Sequence, residues 1–323
     1  MGRTALFPVG GAVENLMPRS DYATLFAPLG LEVRLNEPLQ RYTAARLGGA
    51  ADALVVVTSA LDLDAAARVC WSEGLPMRIL GGGANVLISD QGYRGAILIN
   101  DAKTVTLEDE GRVIAESGAG LISLTRRCIE RGLGGLEWAI NVPGTVGGAV
   151  VNNAGAHGGD TAGLLWWAEI SEPNQPPQHW TADQMGYRYR ESALKHRSTP
   201  FAVLHAAFHL NPGCDPNTLN AHAEEFSAHR KRTQPPGASL GSMFKNPPGD
   251  YAGRLIEAAG LKGTRIGGVV ISPLHANFFV NTGGGTASDY YQLIRLAQRT
   301  VEAQFGIRLE LEVELIGAWD ETP

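Results

Sequence analysis

Residues 132–159 read GLGGLEWAINVPGTVGGAVVNNAGAHGG, and nine of these 28 positions are glycine. Pro143-Gly144-Thr145 dictates a rigid turn, and Gly147-Gly148 then lets the backbone approach whatever lies beside it. Thr145, Asn152 and Asn153 add polar groups without charge. A turn-rich connection between subdomains is the plain alternative, and nine glycines are more than a connection needs. The stretch suits a large, flat, polar-edged ligand that the main chain itself must touch.

Upstream, Gly81-Gly82-Gly83-Ala84-Asn85 follows a short strand, Met77–Leu80, and leads into strand-like Val86-Leu87-Ile88. Three glycines permit positive φ and let N–H groups face one concavity, a common way of holding a pyrophosphate. The spacing is neither G-x-G-x-x-G opening a helix nor a Walker loop. On its own it reads equally well as a tight strand–strand turn.

Around these loops, strands and helices alternate. The spacing predicts strands over Ala53–Thr58, Ala96–Asn100, Thr104–Leu107, Arg112–Glu116, Leu165–Ile170 and Ala202–Leu210. Helices are expected over Ala60–Glu73 (capped by Ser59), Leu121–Arg131, Leu219–Arg232, Tyr251–Ala259 and Ala287–Phe305. Arg308–Leu315 alternates strictly, with Leu309, Leu311, Val313 and Leu315 on one side and Glu310, Glu312 and Glu314 on the other, which predicts a single strand. The texture changes at Asn211-Pro212-Gly213, so the expected organisation is an extension over 1–31, a larger part over 32–215 divided near 100, a smaller α+β part over 216–319, and a tail over 320–323.

The chain has 323 residues, a net charge of −6 and 44% hydrophobic residues, the profile of a globular protein with ample core. No basic excess suggests nucleic acid, and no apolar run is long enough for a membrane span. Cys70, Cys128 and Cys214 are odd in number and widely spaced, which fits neither a disulfide framework nor a zinc site and points to a reducing, cytoplasmic setting. The first twenty residues lack the continuous apolar stretch of a secretory leader.

Seven segments then occur in one order: GGGAN (81–85), PGTVGGA (143–149), NNAGA (152–156), YRES (189–192), GSMFKNP (241–247), HANFFVN (275–281) and LELEVELIG (309–317). Together they resemble the UDP-N-acetylenolpyruvoylglucosamine reductase family, flavoenzymes that complete UDP-N-acetylmuramate in peptidoglycan synthesis. PGTVGGA with GSMFKNP at this separation is the specific part, and the likeness runs over residues 32–321. Ala84 stands where serine is commoner, and His157 where tyrosine is, the latter with consequences for the wall of a flavin site. The 51 residues between Arg190 and Ser242 resemble the family's second type, which lacks a lid segment.

The resemblance implies an α+β protein with a two-part FAD-binding domain of the PCMH or vanillyl-alcohol-oxidase-like type and a smaller substrate-binding domain. It implies noncovalent FAD held by Gly81, Gly82, Gly83, Ala84, Asn85, Val86 and Leu87 and by Pro143, Gly144, Thr145, Gly147, Gly148 and Asn153. NADPH is the implied reductant and the enolpyruvyl ether of UDP-N-acetylglucosamine the substrate, with no metal, membrane or obligate protein partner. Matching Y-R-x-S makes Arg190 the catalytic arginine, although Arg188 is a near neighbour. Its fork suits a carboxylate on which negative charge develops. Ser242 resembles the proton donor, and Glu312, the glutamate preceding the valine of L-E-x-E-V, the catalytic glutamate. Without the likeness, Ser242 reads as a turn residue and the glutamates as a solvated face.

Tyr189, Asn246 and His275 match substrate-contacting positions. Lys231 and Arg232, in the basic end of a helix, are candidates for the UDP diphosphate, and equally a favourable charge at a helix C-terminus. Two other functions compete: another FAD oxidoreductase of the same fold, and a nucleotide-binding regulatory protein without turnover. The presence of Arg190, Ser242 and Glu312 favours the reductase.

Overall fold

The computed structural model describes residues 19–108 and 110–319. Its contacts divide them into two compact units that are not continuous in sequence. The first holds the described residues up to Glu37, then Asp52–Gly81 and Arg94–Ser227; the second holds Pro38–Ala51, Gly82–Tyr93 and the chain from Ala228 onward. The boundary expected at 215/216 thus falls at the start of the helix Pro216–Thr233, whereas the contact division lies within that helix.

In the first unit, a sheet in the order Glu32–Pro38, Ala50–Val57, Tyr93–Asn100, Met77–Leu80 carries the helix Ala60–Ser72. Met77–Leu80 runs parallel to Tyr93–Asn100, with Met77 opposite Ala96. Ser59 caps the helix, its hydroxyl accepting from the Asp62 N–H at 3.1 Å. Leu63, Ala66, Ala67 and Cys70 recur at helical spacing and are buried with Val55 and Val57. The stretch expected to be a loose extension contributes to this core: Arg19–Phe26 is helical, and Tyr22 and Phe26 are buried in it. Residues 1–18 and 320–323 lie outside the described residues.

A second, antiparallel sheet of the same unit runs Gln178–Thr181, Leu165–Ser171, Ala202–His209, Arg112–Glu116, Val105–Leu107. Helices Leu121–Glu130 and Val146–Asn152 pack their apolar residues with it, Val146 and Val150 being buried beside Ala115, Ala168 and Ala206. Glu116, at a strand end, accepts N–H bonds from Ala60 (2.8 Å) and Thr104 (2.7 Å). Burial opposes its charge, but these bonds prevail and hold its carboxyl below the ordinary value.

The second unit is built on an antiparallel sheet, Ala238–Ser242, Phe278–Asn281, Val269–Ile271, Arg265–Ile266, packed against the helices Ala252–Ala258 and Ala287–Phe305. The long helix begins at a capping box between Thr286 and Asp289. Asp90, from the inserted segment 82–93, accepts from the Ala287 and Ser288 N–H groups at 2.9 and 2.8 Å. That segment is therefore tied to the long helix at its positive end.

Arg308–Leu315 is not the single strand its alternation predicts. Leu311 forms a lone antiparallel bridge with Phe244, residues 312–313 bend, and Glu314–Ile316 then pairs in parallel with Val86–Ile88. The apolar set still points inward, with Leu309 and Val313 buried, because two successive partners cover the same side. Among the described residues no helix is long and apolar enough to cross a membrane.

Candidate active site

The glycine-rich stretch of the first unit contains a helix, Val146–Asn152, where the sequence suggested only turns. Two glycines lower its intrinsic propensity, and packing compensates. The Val146 N–H donates to Ala119 O (2.9 Å) and the Gly147 N–H to Ser117 O (2.8 Å). A Cβ at Gly147 would lie 2.9 Å from Ser117 Cβ, so only glycine enters there.

Its C-terminal carbonyls need donors, and the YRES region supplies them. Tyr187 donates its hydroxyl to Val150 O (2.9 Å) and Ser192 to Val151 O (2.6 Å). Burial pushes the Tyr187 phenol above its ordinary value, keeping it a donor. Asn153 ends the helix in the left-handed region (φ 45°). Its buried amide donates to Arg188 O at 3.0 Å and accepts from the Ala162 N–H at 3.0 Å. The Asn153 side chain is thus engaged within the protein.

Arg188 and Glu191 exchange two main-chain hydrogen bonds of 3.1 Å, closing a tight turn with Tyr189 and Arg190 at its tip. Arg190 has φ 56°, a conformation costly for a side chain with a Cβ. Its half-buried guanidinium donates to Gly155 O at 2.7 Å and Asn153 O at 3.4 Å, while Arg188 is exposed. The two candidate arginines therefore differ: one is anchored on the glycine-rich stretch and the other is on the surface. Tyr189 is 52% exposed, with the Arg190 guanidinium 5.2 Å from its ring centre. His157, at φ 52° in the neighbouring hairpin, stacks on Phe226 at 4.3 Å.

In the second unit, Ser242 ends the strand Ala238–Ser242 after an irregularity in register. Ser239 faces Val280 and Ser242 faces Phe278, so two residues oppose one. Gly241, at φ 76°, provides the left-handed step this bulge needs. Ser242 is half-buried, and its hydroxyl has no hydrogen-bond partner among the described residues. The next residues are clamped by buried Asn277, which accepts from the Phe244 N–H (3.0 Å) and donates to Phe244 O (2.8 Å). Opposite them runs the glutamate segment: the Lys245 N–H donates to Glu310 O (2.9 Å) and the Glu312 N–H to Met243 O (3.0 Å). Glu310 and Glu314 are exposed, whereas Glu312, between them, is half-buried.

The remaining expected contacts take various places. Asn246 accepts from the Ala252 N–H at 3.1 Å and so caps the helix Ala252–Ala258. His275 accepts the Asn277 N–H at Nδ1 (3.2 Å), which leaves the proton of the neutral ring on Nε2. Burial lowers its pKa, favouring that neutral form. Lys231 and Arg232 are exposed in the last turn of Pro216–Thr233, and neighbouring Arg230 is half-buried. Asn277 was not singled out from sequence; the signal was an amide inside the apolar run Ala276–Val280, where a buried polar group must be satisfied internally.

The expected cofactor loops fall on both sides of the unit division. In the first unit, a Cβ at Gly81 would lie 2.3 Å from Thr145 Oγ1. The Thr145 hydroxyl caps nothing, and Gly148 is exposed, with only the Thr145 Oγ1 within 4 Å of where a Cβ would stand, at 3.8 Å. An uncharged hydroxyl, a first-turn N–H and glycines without bulk fit the phosphates of a dinucleotide. In the second unit, Gly83 (φ 58°) lies against Tyr42, whose carbonyl oxygen would be 1.9 Å from a Cβ there. Leu87 is buried and pairs with Leu315, so it serves the core. Among the described residues, no three His, Cys, Asp or Glu side chains gather as metal ligands.

Residues 51–166 match the family described as FAD binding domain, and residues 233–316 the C-terminal domain of UDP-N-acetylenolpyruvoylglucosamine reductase. The reductase of that name from Rubrobacter xylanophilus is 45% identical over 88% of this chain and 95% of its own length. The one from Chloroflexus aggregans is 43% identical over 89% of this chain and 99% of its own. The crystal structure of UDP-N-acetylenolpyruvylglucosamine reductase from Thermus caldophilus covers 89% of this chain and 99% of its own, with a TM-score of 0.75 at 32% identity.

Proposed function

The chain belongs to the UDP-N-acetylenolpyruvoylglucosamine reductase family, and on that premise we propose how its own residues divide the reaction. The protein is an FAD-dependent oxidoreductase of peptidoglycan synthesis, reducing an enolpyruvyl UDP-sugar with NADPH. FAD, when bound, would supply the hydride for C3 of the enolpyruvyl ether, with NADPH as its reductant. Ser242 gives its hydroxyl proton to C2, completing the saturated lactyl ether, and regains a proton from solvent. Arg190 holds the substrate carboxylate, on which charge builds before C2 is protonated. Glu312, in protonated form, hydrogen-bonds the same developing charge.

Thr145, Gly148 and Gly81 hold the cofactor phosphates in this reading, and Gly82, Gly83 and Ala84 line the second loop. Lys231 or Arg232 holds the nucleotide diphosphate, while Tyr189, Asn246 and His275 flank the substrate. The site of action is the cytoplasm, in keeping with three free thiols. Burial pushes Cys70 and Cys128 up to about 12, so neither is a competing nucleophile at neutral pH.

The observation that carries the assignment is the 3.0 Å bond from the Glu312 N–H to Met243 O, which sets the glutamate segment beside the residue following Ser242. The test is stopped-flow absorbance of Ser242→Ala and Glu312→Gln. Both are expected to keep FAD and to bleach at the parent rate with NADPH. Reoxidation by the enolpyruvyl nucleotide is expected to slow by about 10²–10⁴. Reoxidation at the parent rate, or a defect confined to bleaching, removes the residue from the role given.

A further inference from the structure

Asn85 lies in the Gly81–Asn85 turn expected to contact the cofactor, yet its side-chain amide is engaged elsewhere. Nδ2 donates to Glu312 O at 3.0 Å. Because the partner is a carbonyl, which only accepts, the amide's NH₂ must face it. The Asn85 main chain meets the same segment: its carbonyl accepts the Glu314 N–H at 3.0 Å. On its other side, the Glu312 peptide is tied to Met243.

Glu312 therefore stands where the chain leaves one strand partner, 243–245, for another, 86–88, across a two-residue bend. No ladder bond serves the carbonyl of a bent residue, and its orientation would otherwise be free. The Asn85 amide supplies the missing donor. Glu312 is half-buried while Glu310 and Glu314 are exposed, and its peptide is held at both N–H and C=O, by Met243 and by Asn85.

We propose that Asn85 is a positioning residue for Glu312: its amide fixes the peptide at the bend and thereby the direction of the carboxyl. The proposal rests on the catalytic role given above to Glu312. It separates Asn85 in function from the glycines before it, which shape the loop.

The test is a double-mutant cycle on the holoenzyme, Asn85→Ala against Glu312→Gln, read by flavin affinity, bleaching with NADPH and reoxidation by the enolpyruvyl nucleotide. Asn85→Ala is expected to bind flavin and bleach as the parent does. Its reoxidation is expected to slow by about tenfold to 10²-fold, the scale of a catalytic group displaced by about 1 Å. In the Glu312→Gln background the same substitution is expected to slow reoxidation by less than about threefold, because coupled residues are not additive. A full additional loss in that background overturns the positioning role and leaves Glu312 standing. Glu312→Gln reoxidising at the parent rate overturns the underlying reading, and this inference with it.

Asn85→Asp guards against a collapsed loop, since it keeps the shape and the bond from Glu314 but replaces the donor by an acceptor. It is expected to reproduce the slow reoxidation. Loss of flavin in both variants overturns the proposal and returns Asn85 to the cofactor.

Discussion

Arg190 and Glu312 are both aimed by main-chain groups, but by opposite routes. In the first unit the side chain does the anchoring: the Arg190 guanidinium reaches two carbonyls, Asn153 and Gly155, and its backbone takes a left-handed conformation to do so. In the second unit the backbone does the anchoring. Glu312 is tied through its own peptide to Met243 and Asn85. An arginine anchored through its guanidinium commits part of its five-donor fork to the protein itself.

The largest expected effect bears on that contrast directly. Arg190→Lys keeps the charge but cannot span two carbonyls and a carboxylate. Steady-state kcat with saturating nucleotide is expected to fall on the order of 10²–10³. Arg190→Gly and Arg190→Ala remove the same guanidinium. The glycine variant is expected to be about 1 kcal/mol more stable to urea, because it accepts φ 56° without strain. Equal stability would mean the turn stores no strain, and the two anchoring modes would differ less than described.

A smaller effect is expected on the backbone-anchored side. Asn277→Ala leaves the Phe244 N–H and C=O buried without partners. Urea unfolding is expected to show a loss of about 2–4 kcal/mol, with the remaining folded protein slower to reoxidise. A variant as stable as the parent would show that the main-chain bond from the Met243 N–H to Asn277 O and the Leu311 bridge suffice to hold the Ser242 segment.

The smallest effect concerns His275. Burial lowers its pKa, so between the folded value and the ordinary 6.5 the native state binds fewer protons than the unfolded chain. Its contribution to stability is complete above 6.5 and is lost as the pH falls through the folded value. Relative to His275→Asn, the parent is expected to lose up to a few degrees more in Tm between about pH 7 and pH 5. Parallel Tm curves would remove the histidine from the acid sensitivity of this unit.

The elements that sequence displayed best are those that local chemistry specifies by itself. Ala287–Phe305 has its cap at Thr286 and Asp289, an apolar stripe and a terminal Gly306, and it forms over the expected residues. Ala60–Ser72 likewise carries its start signal in Ser59. Val146–Asn152 reads as turns by local propensity, because Gly147 and Gly148 mark loops, while the forces making it helical come from Ser117, Ala119, Tyr187 and Ser192, remote in the chain. Arg308–Leu315 misled in the other direction. Period-2 alternation records which side is covered, and it is blind to a change of strand partner midway.

The sequence alone determined the family, through the order and spacing of its glycine loops with YRES, GSMFKNP and LELEVEL. These are backbone and side-chain requirements that the chain must state locally. Tertiary structure alone decided that Arg190 rather than Arg188 is anchored on the glycine-rich stretch, that Glu312 is half-buried between two exposed glutamates, and that Asn85 holds its carbonyl. The physical reason is separation: Asn85 and Glu312 are 227 positions apart. A hydrogen bond across that distance exists only once the chain between them has folded.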